Sequence, residues 1–490
     1  MTSPADALPV LGTDPRRWKA LIVIAIAQLM IVLDASIVNI ALPSIQADLG
    51  ISDADRQWTV TAYTLAFGSL LLLGGRIADY AGRKRMFIVG LIGFALASAL
   101  GGFAANAPML FAARGLQGAF AAILAPAALS LITVTFTDSK ERAKAFGVYG
   151  ALSGGGAAIG LVVGGILTQY ASWHWCLLVN VPIAIVAVLL AIPYVRESRA
   201  TGDTKYDIPG AITATAGLFC LVFGITKAGT DGWGSQSTLT FLGIAVLLLT
   251  VFIFIETKTS HPLLPLKILL ERNRGGAYLA SFFVGVGLFS MFLFISYFFQ
   301  AVLHYSPLTS GLLFLPFSAG VIISAGIASQ LLPRFGPRWV TFAGFVMATI
   351  GCSLYLRLSA ESTYVGGVLP SIILMSLGMG LIFVPLSAVS LFGVSNHDAG
   401  VASAVLNTSQ QIGGTIGVAF LNTIAASATA AYVVANGLAG PDGNALVVGF
   451  KETFAWSTGI LAVAGIIWIV LVRMSKEDME AGDAVPAVTH

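Results

Sequence analysis

The sequence predicts an all-α membrane protein in which two six-helix bundles and two inserted helices make up fourteen transmembrane helices. Three features predict this fold class: the composition, a series of long apolar segments, and an internal repeat. Of the 490 residues, 57% are hydrophobic and only 10% are charged, whereas an ordinary globular domain is about 45–50% apolar and about 25% charged. This composition excludes cytosolic enzymes, disordered proteins and secreted disulfide scaffolds, because too few polar side chains are available to cover a water-soluble body.

The apolar segments have the length of transmembrane helices. A helix needs about 20 apolar residues to cross roughly 30 Å of hydrocarbon. The first segment follows Arg16 and Arg17, but no small-residue cleavage site comes after it, so we interpret it as an uncleaved span rather than an export signal. Fourteen segments are found, at 20–42, 58–75, 86–105, 109–134, 145–168, 175–195, 208–228, 238–256, 276–302, 308–332, 339–356, 364–392, 400–427 and 453–473.

The basic residues predict the orientation of these spans. With a cytoplasmic N-terminus, 21 of the 26 Lys and Arg residues fall in cytoplasmic segments, four fall on the opposite side, and Arg114 lies within a span. Cytoplasmic loops of membrane proteins carry such an excess of positive charge. We therefore expect both termini to be cytoplasmic, and we call that side of the membrane the inner side and the other the outer side.

An internal repeat predicts how the spans are grouped. Residues 79–98 and 333–352 are similar, as are 153–160 and 409–417, with a spacing of about 255 residues in each case. Duplicated bundles with a site at their shared interface are the usual architecture of secondary transporters, although a duplication can also be merely architectural. The predicted units are a cytoplasmic segment at 1–19, a first six-helix bundle at 20–200, two inserted helices with their linkers at 201–275, a second bundle at 276–475 and a cytoplasmic tail at 476–490.

The two inserted helices have no counterpart in the repeat. Between Asp207 and Glu256 their only charges are Lys227 and Asp231. We therefore expect them at the periphery, beside the groove between the bundles. The linker 257–275 mixes leucines with charged residues and is predicted to lie partly in the membrane surface.

Only two ionisable residues lie well inside spans, Asp34 in the first and Arg114 in the fourth, at similar depth. A charge in the middle of a membrane costs at least about 2.5–3.5 kcal/mol, so each is expected to face a partner or a wet cavity. The two are predicted to lie within about 10 Å of each other. They either form a structural ion pair that locks two helices, or they carry the coupling of transport to protons, in which case Asp34 is the coupling carboxylate.

Several motifs are similar to those of one transporter family. The chain as a whole, from about residue 16 to 473, resembles the fourteen-span drug:proton antiporters of the major facilitator superfamily. The resemblance is carried by residues 33–43 (LDASIVNIALP), by Gln57, Trp58 and Tyr63, by 75–84 (GRIADYAGRK), by 114–118 (RGLQG), by 173–175 (WHW) and 180–182 (NVP), by Gln300, Ser306 and Pro307, and by 399–403 (AGVAS), Asn407, Gln411, Gly413 and Gly414.

The resemblance implies a major facilitator fold and an exporter that works by alternating access. It assigns proton coupling to Asp34 and Arg114. The substrate cavity of such a transporter is expected to be largely apolar and aromatic with a few polar groups. The candidates for those groups are Asn39, Tyr63, Gln117, Gln300 and Gln411.

The inner loop between spans two and three is a candidate for conformational gating. Gly75 is expected to let helices meet and Gly82 to permit a tight turn. Asp79 can accept hydrogen bonds from Arg83 or from a helix N-terminus across the bundle interface. If the basic residues Arg83 and Lys84 served only as topology anchors, neither Asp79 nor the glycines would be explained.

The fifth span departs from the family's motif at one position. The antiporter motif has Gly147, Gly156, Gly160 and Gly164 with a proline after the third glycine, where this chain has Leu161. Gly156, Gly160 and Gly164 still form one small face that permits close approach of another helix. A plain packing role for these glycines is about as good an interpretation as a gating role.

These features predict a proton-coupled exporter of hydrophobic or amphipathic drugs in a bacterial inner membrane, functioning as a monomer. A dedicated exporter or symporter of one metabolite is the alternative. A membrane-embedded enzyme is disfavoured, because the five histidines form no HExxH motif and no cluster at metal-ligand spacing. A sensor is disfavoured because the sequence has no sizeable extramembrane domain. ATP-driven pumping is disfavoured because it has no GxxxxGK[ST] loop, and nucleic-acid binding is disfavoured because it has no long block of basic residues. We expect no cofactor and no metal.

Overall fold

The computed structural model describes residues 15–52, 55–56, 58–136, 139–199, 207–259, 262, 264–394 and 399–478. Residues 1–14, 200–206 and 479–490 of the predicted terminal segments and linker, as well as Gln57, lie outside this described part. The helices of the first half are α1 (Arg17–Leu49), α2 (Trp58–Ala81), α3 (Arg83–Gly102), α4 (Ala107–Thr135), α5 (Ser139–Tyr170), α6 (His174–Leu178), α7 (Asn180–Tyr194), α8 (Ile208–Asp231) and α9 (Gln236–Lys258).

The second half is also helical, and the described residues of the chain contain no β-strand. Its helices are α10 (Leu266–Leu270), α11 (Arg272–Tyr297), which continues as a π-helical turn (Phe298–Val302), α12 (Pro307–Leu312), α13 (Leu315–Leu354) with a 3₁₀ turn (Tyr355–Arg357), a π-helical turn (Tyr364–Val368) that leads into α14 (Leu369–Leu391), α15 (Ala399–Ala435) and α16 (Gly443–Leu471).

Within the described residues, 11 helices are long and apolar enough to cross a membrane. The number is 12 if the two parts of the bent helix α2, Trp58–Leu71 and Leu73–Ala81, form one span. Each of the fourteen predicted spans overlaps a helix. The difference in number comes from two places. Pro307–Arg357 counts once although two predicted spans lie in it, and α5 contributes only the shorter apolar helix Ile159–Tyr170. The all-helical membrane fold is thus confirmed, whereas the number fourteen is not confirmed exactly.

The internal repeat is visible in the backbone. Gly82 and Gly336, matched in the sequence, both have positive φ angles, of 112° and 72°, a conformation that glycine adopts without strain. The matched Gly90 and Gly344 lie where a Cβ would approach the next helix, 2.9 Å from the Leu124 Cβ in one case and 2.8 Å from the Gly378 carbonyl oxygen in the other. Both halves therefore use equivalent glycines at one turn and one helix contact.

Two basic side chains repeat this symmetry. Lys84 Nζ donates to the Ile192 carbonyl at 2.7 Å, and Arg338 Nη2 donates to the Ile469 carbonyl at 2.9 Å. Each carbonyl lies two residues before the end of its helix, α7 in the first half and α16 in the second. Cations at a helix C-terminus stabilise the helix by satisfying the last carbonyls and the dipole. Lys84, predicted as a gating or anchoring residue, therefore caps a helix of its own bundle.

The inserted helices lie against one helix of each bundle. Helix α8 packs on α2 and on α15, and α9 packs on α8. Ring centroids of Trp58 and Phe223 are 5.5 Å apart, and those of Trp233 and Phe420 are 6.3 Å apart. These contacts agree with a position beside the groove between the bundles.

Helix α16 begins ten residues before the predicted last span. Asp442 caps it by accepting a hydrogen bond from the Ala445 amide at 2.8 Å. A helix of 29 residues is about 43 Å long, more than the roughly 30 Å that a span requires. Lys451 and Glu452, which lie just before the predicted span, thus belong to the outer turns of the helix.

Candidate functional site

Asp34 lies near the middle of α1, 17 residues after its first residue, or roughly 26 Å along the helix. Its side chain is fully buried. The small face of α5 packs against this part of α1. A Cβ at Gly160 would collide with the Ser36 hydroxyl, and one at Gly164 would lie 2.8 Å from the Ile37 side chain. The predicted close helix approach is confirmed, and its partner is the helix that carries Asp34.

Arg114 reaches Asp34 from α4 and is also buried, with 1% of its side chain exposed. Its Nη1 donates to Asp34 Oδ2 at 2.6 Å and to Gln117 Oε1 at 2.8 Å. Its Nε donates to the Thr59 carbonyl at 3.0 Å, and its guanidinium lies 4.5 Å from the centre of the Tyr63 ring. The predicted proximity of Asp34 and Arg114 is confirmed, and the pair is fully removed from solvent.

The other carboxylate oxygen of Asp34 is held by two amides. Gln117 Nε2 donates to Oδ1 at 3.0 Å and Asn180 Nδ2 donates to it at 2.8 Å. Gln117 Nε2 also donates to Ser98 Oγ at 2.7 Å. Asp34 therefore accepts hydrogen bonds from α4 and α7, and α3 joins the network through Ser98. Hydrogen bonds from donors of this kind favour the charged form of a carboxylate.

The local sequence of α4 explains how these groups converge. Asn106 caps the helix by accepting a hydrogen bond from the Met109 amide at 3.0 Å. Arg114 and Gln117 are three residues apart and so lie on one face. A Cβ at Gly118 would collide with the Tyr63 carbonyl, so this glycine brings α4 close to α2. The 114–118 motif thus supplies two side chains to Asp34 and one close helix contact.

The residues predicted for the substrate cavity occupy different places. Tyr63 and Gln117 are buried beside the ion pair. Gln411 lies on α15 and faces α2 of the other bundle. A Cβ added at Gly68 of α2 would be 3.9 Å from the Cβ of Gln411. Asn39 donates to the Ala35 carbonyl, and Gln300 donates to Ser296 Oγ at 3.3 Å. Among the described residues no hydrogen bond joins Asn39, Gln300 and Gln411, so their shared role stays a prediction.

The inner loop has the predicted ion pair. Arg83 donates to Asp79 Oδ1 at 2.8 Å, and Asp79 is buried. A partner that the sequence did not indicate is Glu197, whose carboxylate accepts from the Lys84 amide at 3.1 Å and so caps α3. Towards the inner end of α2, the close contact with α4 is made by Gly74, where a Cβ would collide with a backbone carbonyl. At the predicted Gly75 a Cβ would be at ordinary contact distance, 3.5 Å from a proline.

On the outer side the two bundles touch. The Arg56 guanidinium lies 4.5 Å from the centre of the Tyr297 ring on α11. A Cβ at Gly311 of α12 would collide with the Leu161 carbonyl of α5. Leu161, which replaces the proline of the family's motif, is itself buried. Its backbone thus takes part in contact between the bundles.

An open groove of about 650 Å³ lies away from the ion pair, between the outer halves of α15 and α16. Small residues and hydroxyls line it, with Tyr432 and Glu452 at its wall. None of the residues that line it belongs to the network around Asp34.

Sequence reasoning missed three parts of this network. Asn180 was noted only as part of an Asn-Val-Pro motif, and Ser98 and the Thr59 carbonyl were not noted. Asn180 had a usable signal, since it is an amide within the otherwise apolar segment 175–195. A backbone carbonyl such as that of Thr59 carries no such signal, because every residue has one.

The fold and the site together define a polytopic membrane transporter made of two repeated bundles with a buried charge pair in the first. A family model, that of the Major Facilitator Superfamily, matches residues 24–418. The chain belongs to this superfamily.

Two named relatives show which members of the superfamily this chain is similar to. The chain is 45% identical to the puromycin resistance protein pur8 of Streptomyces alboniger over 488 residues, which is 98% of this chain and 96% of that protein. It is 37% identical to the cephamycin export protein CmcT of Amycolatopsis lactamdurans over 414 residues, covering 84% and 85% of the two chains. The crystal structure of a bacterial homologue of the human lysosomal transporter Spinster, inward-facing and unoccupied, matches with a TM-score of 0.63 at 18% identity, covering 95% of this chain and 99% of that one.

Proposed function

We propose that this protein is a proton-coupled exporter of hydrophobic or amphipathic drugs, antibiotics among them, that works by alternating access. The observation that carries the proposal is the fully buried Asp34, paired with Arg114 at 2.6 Å in the middle of the first bundle. Buried ionisable residues of membrane proteins are costly and typically mark ion or proton pathways.

The coupling follows from competition at one carboxylate. Ionised Asp34 pairs with Arg114, and a proton on Asp34 cancels the charge that holds this pair. A cationic substrate and a proton cannot both neutralise the same carboxylate, so binding of one releases the other. The membrane potential adds about 2.3 kcal/mol per charge per 100 mV to the driving force.

The relatives support the substrate class. Two of them are named for resistance to puromycin and export of cephamycin, and we propose puromycin as the first compound to test. The substrate cavity is proposed to use Asn39, Gln300 and Gln411, with Tyr63 and Gln117 at its boundary with the ion pair.

Gating is assigned to the inner loop and to the glycine face. The Asp79–Arg83 pair with Gly75, Gly82 and Lys84 would hold the inner ends of helices together and rearrange when the inner side opens. Gly156, Gly160 and Gly164 would let α1 shift against α5 when Asp34 changes its charge. The protein would act as a monomer in the inner membrane, with both termini on the cytoplasmic side.

A dedicated exporter of one antibiotic is the second candidate. It is favoured by the names of the puromycin resistance protein and the cephamycin export protein, each of which specifies a single compound or compound class. The two candidates differ in the range of compounds transported and share the same mechanism.

Proton release from inverted membrane vesicles tests the proposal. The vesicle lumen is acidified by respiration, puromycin and a panel of cationic and neutral drugs are added one at a time, and lumenal pH is followed with a fluorescent amine. Substrates are expected to release lumenal protons from vesicles that contain the protein and not from empty ones. Release by several unrelated drugs indicates a multidrug exporter, release by one indicates the dedicated exporter, and release by none contradicts proton-coupled export of this class.

A further inference from the structure

The side chain of Asn180 is fully buried but only half satisfied. Its Nδ2 donates to Asp34 Oδ1 at 2.8 Å, whereas its Oδ1 has no hydrogen-bond partner among the described residues. A buried polar atom without a partner costs about 1–3 kcal/mol, and such atoms in folded proteins call for an explanation.

The second amide at Asp34 is fixed, in contrast to Asn180. Gln117 Oε1 accepts from Arg114, and Gln117 Nε2 donates both to Asp34 and to Ser98. Turning this amide over would break three hydrogen bonds. Turning the Asn180 amide over breaks only the bond to Asp34, because neither of its ends has another partner in the described part of the chain.

Protonation of Asp34 reverses what the carboxyl group needs from its neighbours. An ionised carboxylate only accepts hydrogen bonds, whereas a protonated carboxyl has an O–H that must donate. Two N–H donors now converge on Oδ1. A proton arriving there from outer water forms the O–H bond and leaves that oxygen facing donors, while Asp34 loses its charge attraction to Arg114.

We propose that Asn180 is a positioning residue that pairs with both protonation states of Asp34 by rotating its side-chain amide. With Asp34 ionised, Asn180 donates through Nδ2, as the structure shows. With Asp34 protonated, rotation about the Cβ–Cγ bond presents Oδ1, which accepts from the carboxyl O–H. This inference deepens the proposed proton coupling and rests on it.

Asn180 lies in the sixth span, six residues after its first residue, His174. The helical segments α6 and α7 meet at Val179, whose φ of −60° and ψ of −25° are helical, so His174–Tyr194 forms one span. The other titratable or charged groups around Asp34 are Arg114 from α4, Tyr63 from α2 and the Cys176 thiol from α6, and the experiment holds all three unchanged.

Infrared titration of the purified, full-length protein tests the proposal. The carboxylic acid band of Asp34 is identified by its loss in Asp34→Asn and is followed against pH in the wild type, in Asn180→Leu and in Ser98→Ala. Asn180→Leu keeps the branched shape of the side chain but has no hydrogen-bonding group. Ser98→Ala removes a buried hydrogen bond of the same network that does not touch Asp34, and Asn180→Ser restores a hydroxyl that both donates and accepts.

In Asn180→Leu the band is expected to move to higher frequency, because the protonated carboxyl has lost its acceptor. Its midpoint is expected to rise by about one pH unit, because a hydrogen bond to a charged group is worth about twice one to a neutral group. Asn180→Ser should reverse part of both changes, and Ser98→Ala should show neither. An unchanged band and midpoint in a folded Asn180→Leu protein, checked by its elution volume and drug binding, would overturn the proposal.

Transport in the same variants separates this inference from the proposed function. If wild-type vesicles release no protons with any drug, proton coupling fails whatever the infrared result. If they do release protons but the Asp34 band is indifferent to Asn180, coupling stands and the role of Asn180 is overturned.

Discussion

The Asp34–Arg114 pair determines what the first bundle can tolerate at the level of single residues. Both side chains are buried. The Asp34 carboxylate also accepts hydrogen bonds from two side-chain amides, and the Arg114 guanidinium also contacts a backbone carbonyl and an aromatic ring. Breaking a buried pair by removing one partner typically costs about 3–5 kcal/mol, whereas replacing both by apolar groups is often neutral. The stability of single and double variants can therefore distinguish the effect of an unpaired buried charge from the effect of lost contacts.

Arg114→Leu is expected to lower the melting temperature of the purified transporter strongly, because it leaves the Asp34 charge unpaired. The loss should amount to about 3–5 kcal/mol of unfolding free energy. The double variant Asp34→Leu/Arg114→Leu should recover most of it while remaining inactive in proton-coupled efflux. Thermal denaturation in detergent measures both, and a double variant no more stable than Arg114→Leu would contradict this account.

At this scale the sequence predicted the groups whose presence in a membrane is itself costly. Asp34 and Arg114 stood out because they are charged residues inside spans. Tyr63 and Gln117 were recognised as polar but assigned to the cavity, since a sequence does not show which way an uncharged side chain points. Asn180 was missed for the same reason, although it completes the carboxylate's set of donors.

At the scale of helices, glycines determine how closely α1 and α5 approach. Gly156, Gly160 and Gly164 each lie where a Cβ would meet α1. Such small faces allow helix backbones to pack closely in a membrane. The packing interpretation is therefore supported directly, and a gating role rests on motion along this same contact.

Gly160→Ala should destabilise the protein and reduce efflux, because its Cβ would collide with the Ser36 hydroxyl and lie 2.9 Å from the Leu33 carbonyl oxygen. Overpacking of this kind costs about 1–3 kcal/mol. The matched control is Gly326→Ala in α13, where a Cβ would meet no atom within 4 Å. Melting temperature and efflux are compared in the two variants, and equal behaviour would argue against a tight α1–α5 contact.

The inserted pair α8–α9 is expected to serve assembly or regulation rather than the elementary transport cycle. Thr213 and Thr226 donate to carbonyls of their own helix, at 2.8 and 2.9 Å, and so use their hydroxyls locally. Deletion of residues 208–256 with a short replacement linker should lower the amount of assembled protein more than efflux per assembled molecule. Efflux normalised to purified protein measures this.

Cysteine accessibility provides the opposing test for these helices. Substrate should not protect Thr213→Cys or Thr215→Cys from a membrane-permeant thiol reagent, whereas it should protect Gln411→Cys at the bundle interface. Protection along α8 would place the inserted helices on the substrate path and contradict their peripheral position.

At the scale of the whole molecule, the two halves are related by the repeat and touch on the outer side. The repeat extends to backbone φ angles, which are positive at both Gly82 and Gly336, and to helix caps, which are made by Lys84 and Arg338. The outer contacts include Arg56 on Tyr297. Alternating access requires the bundles to separate on this side at one stage of the cycle, which breaks these contacts.

Cross-linking across the outer contact is expected to stop transport. In a protein whose native Cys176, Cys220 and Cys352 are replaced by alanine, Arg56→Cys and Tyr297→Cys are joined by a short bis-thiol reagent. Efflux in proteoliposomes should fall to background with the cross-linked pair and remain with either single cysteine after the same treatment. Full activity of the cross-linked protein would show that the outer side does not open there.

The architecture was more predictable than the site. Segment length, basic residues and repeated glycines each report a requirement of the membrane or of the backbone, so the helical fold and the repeat followed from them. The number of spans differs because Pro307–Arg357 contains two of the predicted spans, joined at Gly336, whose φ of 72° and ψ of 163° are not helical. The early start of α16 was missed, because Lys451 and Glu452 resemble loop residues although they lie on a helix that extends past the hydrocarbon.

The most direct test of the central claim is drug accumulation in proteoliposomes driven only by an imposed pH gradient. Wild-type protein, Asp34→Asn and the control Glu452→Gln are compared; Glu452 is an exposed carboxylate with no ion pair in the described residues. We expect puromycin or another drug identified by proton release to accumulate with wild type and Glu452→Gln and not with Asp34→Asn, which should still be folded. Gradient-driven accumulation by folded Asp34→Asn would contradict the assignment of Asp34 as the coupling carboxylate.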